Sequence, residues 1–141
     1  MAMTVHVDIV SAEAAIFSGP ATIVLVPAVM GEVGIMPRHA PLLTKIKAGE
    51  VRIRTPEGEE EFFYVSGGML EVQPQIVTVL ADTAARAKDL DEAAALAAKQ
   101  RAEQALTDRK GEIDFAQAEA ELAEAIAQLK TIQSLRKKIG R

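Results

Sequence analysis

The side chains of this chain that could do metal or acid–base chemistry are two histidines and a group of glutamates. His6 and His39 lie far apart in the sequence, and neither has a second histidine or a cysteine at the spacing of a zinc site. The four glutamates within 57–61 flank a predicted turn, where a solvated loop tip is commoner than a catalytic pair. The pattern predicts no metal centre. His39 lies between two prolines in the 36–41 loop, and a stiff exposed loop favours contact with a partner.

Two glycine-bearing segments are the other candidates for chemistry. Neither the segment at 31–34 nor the one at 66–68 has the G-x-x-x-x-G-K spacing of a phosphate-binding loop. Ser66 lacks the G-x-S-x-G context of an activated nucleophile. The segment at 31–34 is best interpreted as a tight turn between strands. These residues predict a protein that is not an enzyme.

Composition and charge narrow the classes of partner. The chain has 141 residues, no cysteine and a net charge of −4, with no basic stripe, which argues against nucleic acid as the main partner. No apolar run approaches the ~20 residues that cross a bilayer, and the N-terminus lacks a signal-peptide pattern. We therefore expect no direct insertion into lipid. The absence of cysteine excludes disulfides and fits a reducing compartment.

The chain changes character near residue 87. All six prolines and most glycines precede this point, whereas alanine, leucine, glutamate, glutamine, lysine and arginine dominate after it. Proline and glycine punctuate strands and turns, while the later residues favour helix. The sequence predicts an α+β protein with a β domain at 1–86 and a helical domain at 87–141.

The first half predicts an antiparallel β-sandwich or flattened barrel. Apolar and polar residues alternate at 5–9 and again at 51–54, as in half-buried strands. Nine short strands are predicted, each bounded by turn residues. They lie at 5–9, 15–17, 22–26, 33–36, 42–46, 51–54, 61–65, 69–72 and 76–81.

The second half predicts an antiparallel helical hairpin. Asp89 with Glu92 resembles a capping box for a helix over 90–109, Gly111 suits a C-cap, and Asp114 would cap a second helix over 115–138. The predicted facing residues of helix one are all alanine, namely Ala94, Ala97, Ala98, Ala102 and Ala105. Those of helix two are Phe115, Ala118, Leu122, Ala125, Ile126, Leu129 and Ile132. Alanine buries little area, so either a movable arm or a permanently packed hairpin is possible.

The second helix is polarised in charge. Acidic residues precede the cations Lys130, Arg136, Lys137 and Lys138, an order that complements the helix dipole. This basic tip could meet an acidic partner surface, although a solvated helix end is the commoner explanation.

Segments along the whole chain resemble the epsilon subunit of bacterial F-type proton-translocating ATP synthases. The matching segments are M-A-M-T at 1–4, V-S-A-E at 10–13, F-S-G at 17–19, G-E-V-G-I-M-P at 31–37, H-A-P-L-L-T at 39–44, S-G-G-M-L-E-V-Q-P at 66–74, V-T-V-L-A-D-T-A at 77–84 and L-D-E-A at 90–93. The resemblance implies a non-catalytic rotor subunit that couples proton translocation to ATP synthesis. It would lie peripherally at the cytoplasmic face of the bacterial cell membrane.

The resemblance also implies partners for particular residues. Glu32 and Val33 would face the ring of c subunits. The residues expected on or near the gamma interface are Ser11, His39, Thr44, Ser66 and Glu71. The hairpin would inhibit ATP hydrolysis when it extends, bringing Lys130, Arg136, Lys137 and Lys138 towards the alpha and beta subunits. The alternative hypothesis is an unrelated β-sandwich adaptor with a helical interaction tail.

One motif departs from the family pattern. Some members bind ATP through [I/L]-D-x-x-R-A, but here the motif begins at Leu90 and Asp91 and has Ala94 where arginine is needed. Glu124 and Gln128 stand where helix-two arginines would help. Because a polyphosphate needs fixed cations, we predict weak or no ATP binding, and hence no cofactor.

Overall fold

A computed structural model describes residues 3–108 and 112–139. Ten strands come first, followed by a 3₁₀ turn at Ala87–Asp89 and two helices. The strands are β1 Val5–Ser11, β2 Ala15–Ala21, β3 Ile23–Ala28, β4 Gly31–Ile35, β5 Leu42–Ile46, β6 Gly49–Arg54, β7 Glu60–Val65, β8 Gly68–Val72, β9 Ile76–Ala81 and β10 Ala84–Arg86. The helices are α1 Glu92–Asp108 and α2 Glu112–Ile139. The predicted fold class, a β-sandwich followed by a helical hairpin, is confirmed.

The strands form a single hydrogen-bonded path that curls into two layers. Their order is β10-β7-β6-β3-β5-β8-β9-β1-β2, with β4 paired to β3. Pairing is antiparallel except between β1 and β9, which run parallel. The alternation in β1 explains its position, because Val5, Val7 and Ile9 are buried while His6 between them is exposed. The core contains Val, Ile, Leu and Ala from the strands together with Phe63, and none of its members within the described residues comes from a helix.

The structure adds β10 and lengthens β2 beyond the predicted 15–17. β10 has the sequence Ala-Ala-Arg, which carries no period-2 signal, and it exists because it pairs with β7. β2 continues through Gly19 and Pro20 to Ala21. A proline is tolerated there because β2 is the edge strand of the path and has no partner on its other side.

Gly68 supports a prediction about stability. Its φ is +139°, and an added Cβ would lie 2.0 Å from the carbonyl oxygen of Leu80 in β9. Gly68→Ala should therefore lower the free energy of unfolding by roughly 3 kcal/mol or more, because backbone atoms of β9 would have to move. Gly58→Ala is the matched control, since Gly58 has a φ of +88° but nothing within 4 Å. Urea unfolding of both variants checks this, and equal losses would contradict the role of the close approach.

The helix starts differ from the predicted caps. Asp91, not Asp89, caps α1, because the backbone N–H of Ala94 donates to Asp91 Oδ1 at 3.2 Å. Asp89 is the last residue of the 3₁₀ turn that precedes α1. The prediction of a cap at Asp114 is also wrong, since α2 already begins at Glu112. The predicted C-cap at Gly111 and the predicted helix end at Arg109 lie outside the described residues.

The hairpin packs through a face of α1 that overlaps the predicted one only in part. Of the predicted residues, Ala102 is buried and Ala98 is half-buried, while Ala94, Ala97 and Ala105 are exposed. Ala95, which was not predicted, is buried. The heptad spacing from Ala95 to Ala102 is that of two helices packed side by side. An ion pair between Arg136, near the end of α2, and Glu92, at the start of α1, shows that the helices are antiparallel.

α2 buries two stripes of residues. Ala118, Ala125 and Ile132 are buried as predicted, but Ile126 is exposed, and Ala127 and Thr131 are buried as well. α2 contacts α1 and also β6 and β7, so it lies between the first helix and the sandwich. The buried hydroxyl of Thr131 donates to the carbonyl oxygen of Ala127 at 2.7 Å, which satisfies it inside the helix.

Candidate functional site

The first candidate surface is the interface between α2 and the sandwich, where the hairpin is folded back. Phe62 and Tyr64 of β7 are buried there. The Tyr64 hydroxyl hydrogen-bonds to the side chains of Gln128 on α2 and Thr83. Burial raises the pKa of Tyr64, so its phenol stays neutral at the interface.

Ion pairs hold the end of α2, one to the sandwich and one to α1. Lys138 Nζ lies 3.3 Å from Glu59 Oε2 and also donates to the carbonyl oxygen of Glu60. Arg136 pairs with Glu92, and its Nη1 lies 3.2 Å from Glu92 Oε1. We call these contacts of Arg136 and Lys138 the docking contacts. The Arg136–Glu92 pair is largely exposed to solvent, where an ion pair contributes about 0–1 kcal/mol, whereas the Lys138 side chain is half-buried.

The glutamates at 57–61 therefore do more than form a solvated tip. Glu59 binds Lys138, Glu60 binds Arg54 at 3.0 Å, and Glu61 binds Arg86 at 3.5 Å. Arg86 also donates to the carbonyl oxygen of Ile16 at 2.8 Å, which fixes the chain just before the hairpin begins. Two cations of the predicted arm tip, Arg136 and Lys138, are thus held within the chain itself.

Carboxylates surround the position where the family's nucleotide motif would need cations. Burial raises the pKa of Glu124, and the neighbouring carboxylates of Glu121 on α2 and Asp82 after β9 raise it further. Asp91 of the degenerate motif is engaged as the cap of α1. This negative potential agrees in sign with the prediction of weak or no ATP binding, which stays a prediction.

The raised pKa of Glu124 predicts a pH dependence of docking. Because the docked carboxyl favours the protonated form, its contribution to stability is present at acid pH and is lost as pH rises through the raised pKa. We expect Glu124→Gln to make the folded chain more resistant to heat at pH 7.5 than the wild type, with the difference shrinking towards pH 5. The control is Glu119→Gln, an exposed glutamate of the same helix. Thermal unfolding at several pH values tests this, and a pH-independent difference would contradict it.

The second candidate surface is an outer sheet face that the hairpin leaves uncovered. It is formed by the outward residues of β5, β8, β9 and β1. Leu43 is 67% exposed and Leu80 is 50% exposed. Met69 lies opposite Leu80 on one side and Val10 lies opposite it on the other, so apolar residues form a row across three strands. Large apolar residues aligned on a solvent-exposed sheet face favour contact with another protein.

The predicted gamma-contact residues are distributed unevenly around this face. Glu71 lies on it, directly opposite Leu43, and Ser11 ends β1 beside it. Thr44 is on the opposite pleat, where it is half-buried. His39 and Ser66 are in the loops at the two ends of β5 and β8, and the Ser66 hydroxyl accepts a hydrogen bond from the backbone N–H of Thr83 at 2.8 Å.

The apolar residues of the uncovered face were not singled out in the sequence. Leu43, Met69 and Leu80 stand at outward positions of alternating strands, and that alternation is the signal that identifies them. The signal is ambiguous without the fold, because an apolar residue at an outward position can equally be covered by a helix.

A group of polar side chains at one side of this face resembles a catalytic triad only in composition. His6 Nε2 lies 2.9 Å from Asp8 Oδ1 and 3.2 Å from the hydroxyl of Ser18. Both contacts use the same ring nitrogen, whereas a relay needs one nitrogen for each partner. The Ser18 hydroxyl donates to Asp8 at 2.7 Å, and this hydrogen bond lowers the pKa of Asp8. The arrangement therefore leaves Ser18 without a general base.

The third candidate surface is the turn between β3 and β4. Met30 is 86% exposed and Val29 is 53% exposed, and both lie beside the exposed Glu32. Val33, predicted to act with Glu32, is half-buried and packs against the sandwich core. Of the predicted pair, only Glu32 is presented to solvent. Among the described residues, no group of three acidic or histidine side chains could hold a metal ion.

Comparison with known proteins gives consistent matches for both parts of the chain. Residues 4–87 match the family described as ATP synthase, Delta/Epsilon chain, beta-sandwich domain, and residues 88–133 match its long alpha-helix domain. The ATP synthase epsilon chain of Nitrosococcus oceani is 72% identical over 140 residues, covering 99% of this chain and 100% of that one. That of Alkalilimnicola ehrlichii is 63% identical over 138 residues, covering 98% and 99%.

Solved structures show the same fold at low identity. A chain in the Euglena gracilis mitochondrial ATP synthase OSCP/F1/c-ring structure superposes with a TM-score of 0.80 at 17% identity, covering 88% of this chain and 78% of that one. A chain in the Tetrahymena thermophila mitochondrial ATP synthase central stalk/c-ring structure gives a TM-score of 0.62 at 12% identity, covering 92% and 97%. Neither described helix of the present chain is long and apolar enough to cross a membrane.

Proposed function

This chain belongs to the delta/epsilon chain family of ATP synthase, and we propose that it is the non-catalytic epsilon subunit of the rotor's central stalk. In this role it links the gamma subunit to the ring of c subunits and thereby couples proton translocation to ATP synthesis. It lies peripherally at the cytoplasmic face of the membrane. Membership of the family excludes the alternative of an unrelated adaptor.

The observation that carries the proposal is the uncovered sheet face. Leu43 and Leu80 are held apart from the hairpin on a rigid sheet, and Glu71 adds a charged group beside them. A stable protein–protein interface has an apolar centre and a polar rim, which this arrangement provides. We assign this face to gamma, with Ser11 at its edge. His39 and Ser66 would contact gamma from the two loop ends, while Thr44 supports the sheet from inside.

The turn between β3 and β4 is the part of the sandwich that we assign to the c ring. Met30 and Val29 provide apolar contact, and Glu32 provides a charge that can pair with a basic loop. Val33 would fix the turn by packing on the core. Chains of the same fold occur in ATP synthase assemblies that include a c ring, which is consistent with this assignment.

The hairpin is assigned to regulation. α2 is held by alanine-rich packing against α1, by Phe62 and Tyr64 of the sandwich and by the docking contacts. The alanine packing and the ion pairs contribute little free energy for the number of residues involved. The sandwich core includes no helix residue, so the hairpin can leave without opening it. Extension would release Arg136 and Lys138, and together with Lys130 and Lys137 they would reach acidic surfaces of the alpha and beta subunits. In that position the arm would inhibit ATP hydrolysis.

Reconstitution with purified subunits tests the proposal. The wild-type chain should form a stoichiometric complex with gamma during size-exclusion chromatography, and that complex should bind isolated c rings. Restoring this chain to membranes lacking it should restore ATP synthesis driven by a proton gradient. Failure to bind gamma would contradict the rotor role, whereas binding to gamma without binding to rings would contradict only the assignment of the turn.

A further inference from the structure

A groove of about 320 Å³ lies between α2 and the outer faces of β6 and β7. It is lined by Arg52, Glu60, Phe62, Lys130, Gln133, Ser134, Lys137 and Lys138. Four of these side chains are cationic and one is acidic. The groove exists only while the hairpin is docked, because one wall belongs to the helix and the other to the sandwich.

The charges around the groove do not cancel. Arg52 pairs with Glu50 at 3.2 Å, Lys138 pairs with Glu59 at 3.3 Å, and Glu60 pairs with Arg54 at 3.0 Å. Within residues 3–108 and 112–139, no carboxylate oxygen lies within 4.0 Å of the ammonium group of Lys130 or Lys137. Each ion pair contributes one positive and one negative charge, which cancel in the net charge around the groove. Two positive charges, one on each of these lysines, are left over on the same side of the helix.

We propose that this groove binds a phosphate dianion that bridges α2 and the sandwich. The charge of the ligand equals the uncompensated charge of Lys130 and Lys137. Charge-assisted hydrogen bonds from ammonium groups to phosphate oxygens are about twice as strong as neutral ones. The side chains of Gln133 and Ser134 add neutral donors between the lysines. Arg52 stacks over the Phe62 ring with its Cζ 5.7 Å from the centroid and offers guanidinium N–H donors on the opposite wall, although Glu50 balances its charge.

The position differs from that of the degenerate nucleotide motif. The motif's surroundings carry Glu121, Glu124 and Asp82, which repel phosphate. The groove lies further along α2 towards its C-terminus, beyond those carboxylates. Its ligand would therefore be held by cations of this chain that the nucleotide motif does not include.

A ligand that binds both walls binds only the docked hairpin. Such a ligand stabilises the docked state by mass action, since the extended state cannot hold it. Phosphate should therefore protect the amides of α2 from hydrogen exchange and leave those of β1 and β9 unchanged. This property belongs to the isolated chain and does not depend on the proposed role in the rotor.

Titration of the isolated full chain tests the inference. Sodium phosphate is added at constant ionic strength, with sodium chloride as the reference, and amide shifts of Gln133 and Ser134 are followed by NMR. We expect saturable shifts and a dissociation constant in the millimolar range or below. Lys130→Gln with Lys137→Gln should raise that constant about tenfold or more, because both uncompensated charges are lost.

The control removes the same charge elsewhere. Lys45 and Lys47 are exposed lysines that do not line the groove, so Lys45→Gln with Lys47→Gln should leave the dissociation constant within about twofold. Both double variants should fold normally, since none of the four lysines is buried or ion-paired among the described residues. Equal weakening in the two double variants would indicate nonspecific charge attraction and overturn the proposal.

A second titration identifies the source of the phosphate group. If ATP shifts the same amides and loses affinity in the Lys130→Gln, Lys137→Gln variant, the groove accepts the phosphate of a nucleotide. If inorganic phosphate shifts these amides and loses affinity in the variant but ATP does not, the ligand is the free phosphate ion. If neither ligand gives saturation by about 10 mM, or if all binding survives in that variant, the groove is not a phosphate site.

Discussion

Replacing Leu43 and Leu80 by lysine should weaken binding to the gamma subunit by about 100-fold or more. Each leucine contributes roughly 1.5–3 kcal/mol when an interface removes it from water, and each tenfold change in affinity corresponds to about 1.4 kcal/mol. Lysine at position 43 would lie directly opposite Glu71 on the neighbouring strand. Because cross-strand pairs of opposite charge stabilise a sheet, the sheet should remain intact. The dissociation constant for gamma, measured by surface plasmon resonance, gives the result.

The matched control for this variant is Leu96→Lys with Ile126→Lys. These residues are 46% and 47% exposed, comparable to Leu80, but they lie on the hairpin. They should leave the affinity for gamma nearly unchanged when the hairpin is docked. Equal losses in the two double variants would show that gamma does not distinguish the uncovered face from the helices. No loss in either would place the gamma interface elsewhere on the sandwich.

Deletion of residues 88–141 should raise ATP hydrolysis by the assembled enzyme roughly fivefold or more while retaining coupled ATP synthesis. An inhibitory arm changes the balance between active and inhibited states by its coupling free energy, and such couplings are commonly about 5-fold to 150-fold. The sandwich should fold without the arm, because its buried core is made of strand residues alone. Hydrolysis and proton-driven synthesis are both measured in membranes that contain the shortened chain.

This deletion leaves an apolar surface exposed, and the experiment must allow for it. Phe62 and Tyr64 lie beneath α2 and would meet solvent in the shortened chain. Adding Phe62→Thr to the deletion keeps β propensity and removes the largest exposed ring, so it controls for aggregation. If hydrolysis stays at the wild-type level while the shortened chain still binds gamma, the hairpin is a permanently packed element and has no inhibitory role.

Some features of the structure were predictable because they depend on local patterns. Val5, Val7 and Ile9 alternate with polar residues, and this period of two fixes both the strand and its buried side. In the second half, the lack of proline and the abundance of helix formers predict two helices at nearly the observed positions. Ordered sequence segments along the chain are also sufficient to identify the family.

Other features depend on partners distant in sequence. The Ala84–Arg86 strand has no alternation of apolar and polar residues, and it forms because its backbone pairs with the edge of β7. Asp91 caps α1 because Asp89 is part of the 3₁₀ turn that precedes the helix. The buried face of α1 passes through Ala95 as well as the predicted Ala102, and both the predicted and the observed face are rows of alanine. A helix rich in alanine gives little contrast between its faces, so periodicity alone could not choose between them.

The two-part architecture, the strand alternation and the family follow from local sequence patterns. Which sheet face α2 covers depends on the fold, and so does the result that Leu43 and Leu80 remain open while Phe62 and Tyr64 are buried. The fold also sets the ion pairs: Lys138 and Arg136 are held within the chain, while Lys130 and Lys137 have no carboxylate partner among the described residues. Periodicity reports only whether a side chain faces inward or outward from its own element. What covers an outward side chain depends on long-range packing between elements, which no local pattern records.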